Sequence, residues 1–448
     1  MERLGAAAFP CMKIAIIGAG WAGMAAAVEA TLAGHHAIIF EASRALGGRA
    51  RALNGHLPDG TPVTLDNGQH ILIGAYTEAL RLMRQVGVDP QTALLQTPMT
   101  LRFPDDLGLQ FPAWPTPLDA LAGIVSARGW TRADKWTLLR VATGWQLRGF
   151  QCAANMSVAA LCHELSPRVM DELIEPLCVS ALNTPADRAS AQVFLKVLQD
   201  ALFGVQGGSR LLLPRCDLSA LFPDAAARWV TERGAEIRRG VRVENVACEG
   251  ARWRVQDERF DAVIIATSAS ESARALENSA RVATYSIASK LRTWTRLTDA
   301  LQFEAIATVY AWGAGATLAH PMLTLRSRTD RPAQFVFDRR QLGGPQGLLA
   351  FVVSASNADQ QTLQAQVLCQ AQEQLGLTLQ AVQTVVEKRA TFACTPGLVR
   401  PGPCIAPGLI VCGDYVEGPY PATLEGAVRS GIAAVKLAVA QSAKSETA

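Results

Sequence analysis

Hydrophobic positions first cluster at Lys13–Ile17 (KIAII), a short β-branched run suited to a strand buried on both faces. An Ala-rich stretch then predicts a helix to about Ala33, and Gly34 supplies its stop. His36–Phe40 (HAIIF) predicts a second buried strand that ends at Glu41. Strand, helix and strand in this order make a βαβ unit. LGGRA, VTLDNGQHILIGAY and a helix through TEALRLMRQVG follow. From about 95 the pattern changes: FPAWPTP interrupts it, and helical segments continue to about 200, one of them carrying DELIEPLCVSALNT. The α/β pattern returns with GGSRLLLPRCDLSALF, a helix in FPDAAARWVTERG, and strand-like VRVENV and FDAVIIATSAS. Between about 300 and 392, EAIATVYAW, PAQFVFD, GLLAFVVSAS and TVVEKRATF predict a mixed or antiparallel sheet with one helix, ADQQTLQAQVLCQAQEQLG. LIVCGDYVEGPYPATLEGAVRSGIAAVKLAVA reads as a strand, a loop and a long helix, and the tail QSAKSETA as frayed.

This alternation predicts an α/β fold with a discontinuous nucleotide-binding domain from 12–95, 203–275 and 393–440. A substrate domain would be assembled from 96–202 and 276–392. The 448 residues suit two or three such units. With 49% hydrophobic and 18% charged residues, the chain is not of the disordered class. Lys and Arg number 42 against 39 Asp and Glu, an excess of +3, which argues against a nucleic-acid partner. The ten cysteines include no C-x-x-C spacing, so neither a zinc ribbon nor another metal site is expected, and a reducing cytoplasmic setting is. The first residues hold no apolar run of signal-peptide length. No stretch reaches the ~18 apolar residues a membrane span needs, which leaves peripheral contact with a membrane open.

Gly18, Gly20 and Gly23 form G-x-G-x-x-G, with Trp21 and Ala22 inside it, directly between the first strand and its helix. The first Gly permits a tight turn, the second lets backbone approach a pyrophosphate, and the third lets helix and strand pack closely. The helix start offers free N–H groups to the anion, and Glu41 at the end of the next strand can accept both ribose hydroxyls. WGAGATLAH at 312–320 also holds a G-x-G but lacks the third Gly and the acidic partner, and reads as a loop. Gly47, Gly48 and Arg49 follow Glu41 closely, where a guanidinium can reach the phosphates. With no second complete fingerprint, a single tightly held flavin, FAD, is the natural cofactor.

GAGWAG, the following Glu41 and LGGR resemble the flavin amine oxidases, phytoene desaturases and protoporphyrinogen oxidases. VRVENV, FDAVIIAT and VCGDYVEGPYPATLEGAVRSG match their later flavin segments. The resemblance implies a Rossmann-type FAD domain with an inserted α+β substrate domain. It implies flavin contacts at Gly18, Gly20, Gly23, Glu41, Ala42, Gly48, Arg49, Val243, Gly413 and Asp414. Gln69, His70, Thr423 and Leu424 would lie near the isoalloxazine. A narrower resemblance, to the hydroxysqualene dehydroxylase family, rests on DNGQHILIGAYTEAL, IEPLCVSALNTP, LLLPRCDLSALFP and GDYVEGPYPATLEGAVRSGIAA, and runs from Lys13 to about Leu437. It implies a long-chain isoprenoid lipid substrate and an external electron donor that the sequence does not name.

The implied reaction replaces an allylic hydroxyl by hydride, so a general acid must help the oxygen leave as water. His70 is the first choice for donating that proton or orienting the leaving group; its structural alternative is a bond to backbone or flavin. Asp66 is a second candidate, though Asp and Asn often serve turn N–H groups. Glu175 is a third, beside Pro176, which should kink its helix and so help line a pocket. Leu177, Asn183, Tyr415 and Tyr420 are assigned to that pocket. The tyrosines could stabilise an allylic cation, and Asn183 could equally be a helix end. Trp114, Trp130, Trp136 and Trp145 alternate with Arg128, Arg132, Lys135, Arg140 and Arg148, a pattern of solvated helices or of helices lying on a membrane. Three rival readings use the same fold: a carotenoid-type desaturase, an amine oxidase, and a prenyl-lipid carrier without catalysis.

Overall fold

The computed structural model describes residues 11–355 and 358–446. β1 (Lys13–Ile17), α1 (Trp21–Leu32) and β2 (His36–Glu41) form the opening unit. β1 lies inside a six-stranded sheet in the order Glu236–Arg239, β2, β1, Ala262–Ile265, Leu409–Val411, Cys404–Ala406. Only the last strand runs antiparallel to its neighbour. The interior strands are covered on both faces, which explains their uninterrupted apolar runs: Ile14, Ile16, Ile39 and Ile264 are completely buried.

The edge strand differs from the sequence expectation. Glu236–Arg239 (EIRR) pairs with β2, whereas Val241–Asn245 of VRVENV runs as irregular backbone. Only the Val241 N–H continues the pairing, to the Glu41 carbonyl at 3.0 Å. An edge strand exposed to water needs no apolar run, so its polar side chains hid it. Val246–Glu249 instead opens a three-stranded antiparallel sheet with Arg252–Val255 and Glu258–Phe260.

The second large sheet is antiparallel, ordered Met322–Thr324, Phe335–Asp338, Leu348–Ser354, Phe303–Trp312, Gln380–Phe392. Its alternation separates two cores. Val309, Ala311, Leu349 and Phe351 pack under helix Gln360–Leu375 through Leu363, Val367 and Ala371. Tyr310, Phe335, Phe337 and Ala350 face the larger core shared with the helical region before residue 200. In that region the expected proline kink takes a specific form. A π-turn, Met170–Ile174, runs into helix Glu175–Leu182, loosening the coil beside Pro176, which has no N–H to donate.

The C-terminal helix, Leu424–Glu446, continues through residues expected to fray, and Gln441 accepts a hydrogen bond from the Gly408 N–H at 2.9 Å. Of that tail, Thr447 and Ala448 lie outside the described residues, as do the first ten residues. This helix packs directly on α1. A Cβ on Gly431 would lie 2.2 Å from the Ala22 carbonyl oxygen and 3.0 Å from the Ala26 nitrogen. Among the described residues no helix is long and apolar enough to cross a membrane.

Gly431→Leu should therefore force α1 and the last helix apart, costing about 1–3 kcal/mol or more by overpacking. Gly402→Ala, where no atom lies within 4 Å, should change the midpoint of urea unfolding little. Equal midpoints for the two variants would contradict this packing.

Candidate functional site

The fingerprint glycines build a narrow cradle at the mouth of the parallel sheet. Gly18 has φ +105°, and a Cβ there would lie 2.7 Å from the Ala266 carbonyl oxygen; one on Gly23 would lie 1.9 Å from that of Gly18. Gly20 is the N-cap of α1 and offers no side chain to its free N–H groups. Gly48 closes in opposite, since a Cβ there would sit 3.4 Å from the Gly20 Cα. A bond from the Gly47 N–H to the Ala19 carbonyl, 2.9 Å, holds the two loops together. Trp21 packs against Phe222 and donates to the Ala50 carbonyl, while Ala22 is buried beneath Gly431. Glu41 is fixed by two backbone donors, Ala19 and Ser43, at 2.7 Å each. Ala42 stands exposed beside it, and Val243 is buried near the end of the sheet. An uncapped helix start, a passage that any Cβ would narrow and a pinned carboxylate fit a dinucleotide.

Arg49 joins this cradle to the C-terminal segment. Its Nη2 lies 2.5 Å from Asp414 Oδ1 and its Nη1 2.5 Å from the Ala390 carbonyl oxygen. Burial alone would draw the guanidinium down, but the Asp414 and Glu387 carboxylates more than offset this and keep it a cation. The Arg49 carbonyl accepts from Asn67 Nδ2 at 3.1 Å, bringing the DNGQH turn alongside. Beyond Asp414 the chain turns through Ala422 at φ +58°, whose N–H donates to the Asp414 carbonyl. Thr423 Oγ1 then caps the helix that begins at Leu424, accepting from the Gly426 N–H at 2.9 Å.

His70 lies half-buried in this region. Its Nδ1 is 2.8 Å from the Gly68 carbonyl oxygen, which can only accept, so Nδ1 carries the hydrogen. Burial lowers the pKa of the imidazole, the Gly68 carbonyl opposes this, and the Arg49 cation adds to the lowering. A neutral ring with Nδ1–H committed presents Nε2 as an acceptor. Gln69 is held from both sides, with Oε1 accepting from Arg339 Nη1 at 2.9 Å and its N–H donating to Thr308.

Asp66 departs from the open, proton-donating position expected of a catalytic acid. It is 2% exposed, and its Oδ1 accepts from the Leu218 N–H at 2.8 Å, anchoring a neighbouring helix. Burial raises its pKa to about 6, with Asp217 adding and the Leu218 N–H and Arg339 opposing.

Glu175 bonds to none of these groups. Its Oε2 accepts from the Ala186 N–H at 3.0 Å, and burial raises its pKa. Leu177 is partly buried on the same helix. Asn183 is a left-handed helix end, the alternative the sequence offered, with its side chain satisfied by Thr391 and the Ala355 N–H. Tyr415 is packed in the core. It is 2% exposed, its hydroxyl is 2.8 Å from Ser272 Oγ, and its ring meets Trp294 edge-on. Tyr420 faces the other way, lining a cavity of about 390 Å³ with Asp414, Arg400, Arg429 and Ser430. The two tyrosines, five residues apart in one loop, therefore have different surroundings, which sequence alone could not resolve.

Sequence reasoning missed Arg339, Glu387 and Glu425. Glu425 is fully buried, accepts from the Glu78 and Ala79 N–H groups, and is matched by Arg429. Tyr76, the N-cap of helix Thr77–Gln85, supplies no side-chain bond, and this was the available signal that a distant carboxylate caps the helix. Among the described residues no group of three or more His, Cys, Asp or Glu is placed to hold a metal ion.

Because the folded pKa of Asp66 lies above its ordinary value, its stabilising contribution is full below about pH 4 and is lost as pH rises through about 6. Asp66→Asn keeps an acceptor for Leu218 but cannot ionise. Relative to the parent, it should gain up to about 3 kcal/mol between pH 4 and pH 7.5. Parallel stability curves across that range would refute the buried-acid assignment.

The family model for flavin containing amine oxidoreductase matches residues 21–439. The hydroxysqualene dehydroxylase of Sinorhizobium fredii is 26% identical, with 96% of this chain and 99% of that protein covered. That of Rhodopseudomonas palustris is 27% identical, covering 95% and 98%. The zeta-carotene desaturase of Zea mays is 39% identical over 80 residues, 18% of this chain and 13% of its own. Among solved structures, an oxidoreductase from Methanosarcina mazei shares the fold, with a TM-score of 0.69 at 17% identity over 95% of this chain and all of that one. The nucleotide cradle, the two-sheet architecture and the family match together show that this chain belongs to the flavin-containing amine oxidoreductase family and is an FAD-dependent oxidoreductase.

Proposed function

We propose that this protein reduces hydroxysqualene to squalene, exchanging an allylic hydroxyl for hydride and releasing water. The observation that carries this reading is the end-to-end similarity to proteins named hydroxysqualene dehydroxylase. The carotenoid desaturase relatives match over only 18% and 26% of the chain. FAD, reduced by an external donor, supplies the hydride.

The chain's own residues would divide the remaining work. The start of α1, Gly20 and Gly48 would receive the pyrophosphate, Glu41 the adenosine ribose, and Arg49 with Asp414 the ribityl and phosphate end. Gln69, His70 and Thr423 would border the ring. His70 Nε2, an acceptor, would orient the substrate by taking a hydrogen bond from its O–H. Such a group is suited to positioning and not to donating the proton. That role would fall to Glu175, whose carboxyl burial pushes above its ordinary range and whose Oε2 accepts from the Ala186 N–H. Asp66, tied to Leu218, would keep the DNGQH turn in place.

With the flavin reduced anaerobically, added hydroxysqualene should reoxidise it as squalene forms. A flavin that stays reduced would move the function to the desaturase reading. Glu175→Gln should lower the rate of that step by about 10²–10⁴ with flavin retained. His70→Ala should raise KM more than it lowers kcat. A Glu175→Gln enzyme reacting at the parent rate would remove Glu175 from proton transfer. Arg49→Met, leaving Asp414 without its cation, should purify with much less flavin, measured as the ratio of visible to ultraviolet absorbance.

A further inference from the structure

Helix Leu118–Ser126 is built inside out. Leu118, Leu121 and Val125, spaced to form one stripe, are 54%, 48% and 56% exposed. The only carboxylate of that helix, Asp119, is turned inward at 4% exposure, where it bonds Ser209 Oγ at 3.0 Å and the Ala120 N–H. A helix facing water shows the reverse arrangement.

The neighbouring helix, Arg132–Leu147, carries a second exposed stripe. Its exposed stripe runs Arg132, Trp136, Arg140, Thr143, Leu147, with Trp136 70% and Leu147 83% exposed. Lys135 ties the pair together by donating to the Val125 carbonyl at 2.7 Å. Trp114 lies exposed before the first helix, and Phe203, exposed and tilted against the Phe150 ring, adjoins the end of the second. Trp130 and Trp145, by contrast, are buried beneath. Eight of the molecule's exposed large hydrophobic side chains thus fall between Trp114 and Val205. A concentration of this kind marks an interaction site and not ordinary scatter.

The charges point to the occupant. Between residues 112 and 150 the carboxylates are Asp119 and Asp134, and both are buried, Asp134 within the capping box of Thr131. The outward charges of the segment are all basic: Arg128, Arg132, Lys135, Arg140 and Arg148. Arg128 pairs with Asp106 and Arg140 with Glu164, both contributed from outside the segment. A second copy docking by two-fold symmetry would set this basic rim against itself. A lipid surface with anionic headgroups accepts both features, burying the apolar stripe while the rim meets phosphate.

We infer that the face formed by Leu118–Ser126 and Arg132–Leu147 seats this protein on an anionic lipid bilayer. The apolar stripe enters the headgroup boundary, and Arg132 and Arg148 lie at phosphate level. The inference stands whichever lipid is turned over, because it rests on the outer surface and not on the flavin site.

Sedimentation of the FAD-loaded full chain with vesicles tests it. Binding is expected to phosphatidylcholine vesicles containing phosphatidylglycerol, to weaken with added salt, and to be much weaker with phosphatidylcholine alone. Leu121→Glu/Trp136→Glu should lower the bound fraction about tenfold while the flavin spectrum and circular dichroism stay unchanged. Arg132→Glu/Arg148→Glu, which leaves the apolar stripe intact, should remove the preference for anionic vesicles. The inference is overturned if the parent does not bind vesicles, or if both double variants bind like the parent. It is also overturned if sedimentation velocity shows a dimer that Leu121→Glu/Trp136→Glu separates.

Discussion

Close approach of bare backbone around α1 is the constraint on which the rest of the structure depends. The helix is met at its start by the Gly18 turn, along one side by the Gly431 face of the last helix, and opposite its mouth by Gly48. At each place a side chain would occupy space already filled or needed by a ligand. The parallel sheet, the helix above it and the cleft between loops are therefore one packing solution. The same glycines that close the core leave the helix N-terminus uncapped, so packing and anion binding share a cause.

A second constraint is electrostatic. The half-buried Arg49 guanidinium bonds two remote parts of the chain, the Ala390 carbonyl and Asp414, while its backbone carbonyl accepts from Asn67 of the DNGQH turn. A partly desolvated guanidinium without such partners would be costly, and these two bonds tie the segments around Ala390 and Asp414 to the LGGR loop. It also bears on His70, whose imidazole is kept neutral by burial and by this cation, with the Gly68 carbonyl opposing. The geometry thus assigns different tasks to residues that look interchangeable in sequence. His70 is an acceptor, Asp66 an anchor, and Glu175 a half-buried carboxyl held at one oxygen.

Much of the fold was legible because its signals are local. The βαβ unit declares itself through a solid apolar run, three glycines and a terminal Glu41. The antiparallel sheet shows in alternation along EAIATVYAW and GLLAFVVSAS. What stayed hidden depends on contacts between distant residues or on direction. The EIRR edge strand carries no apolar signature, since water covers one side of it. Glu425 caps a helix that starts near residue 77, a bond no window of sequence contains. Tyr415 and Tyr420 look equivalent around one loop, yet one is core and the other lines a cavity. The inverted polarity of Leu118–Ser126 emerges only when Asp119 is seen to face inward.

The place of the final helix carries a consequence for how the molecule is made. β1 must wait for Ala262–Ile265 to gain its second neighbour, and that strand in turn waits for Leu409–Val411. The Gly431 face and the Glu425 carboxylate arrive later still. During synthesis, which proceeds from the N-terminus, the first hundred residues therefore emerge with an unfinished sheet and an uncovered helix. The Arg49–Asp414 contact, which joins the cofactor cradle to the C-terminal segment, forms only once nearly the whole chain has been made, so the finished site is a late product of folding.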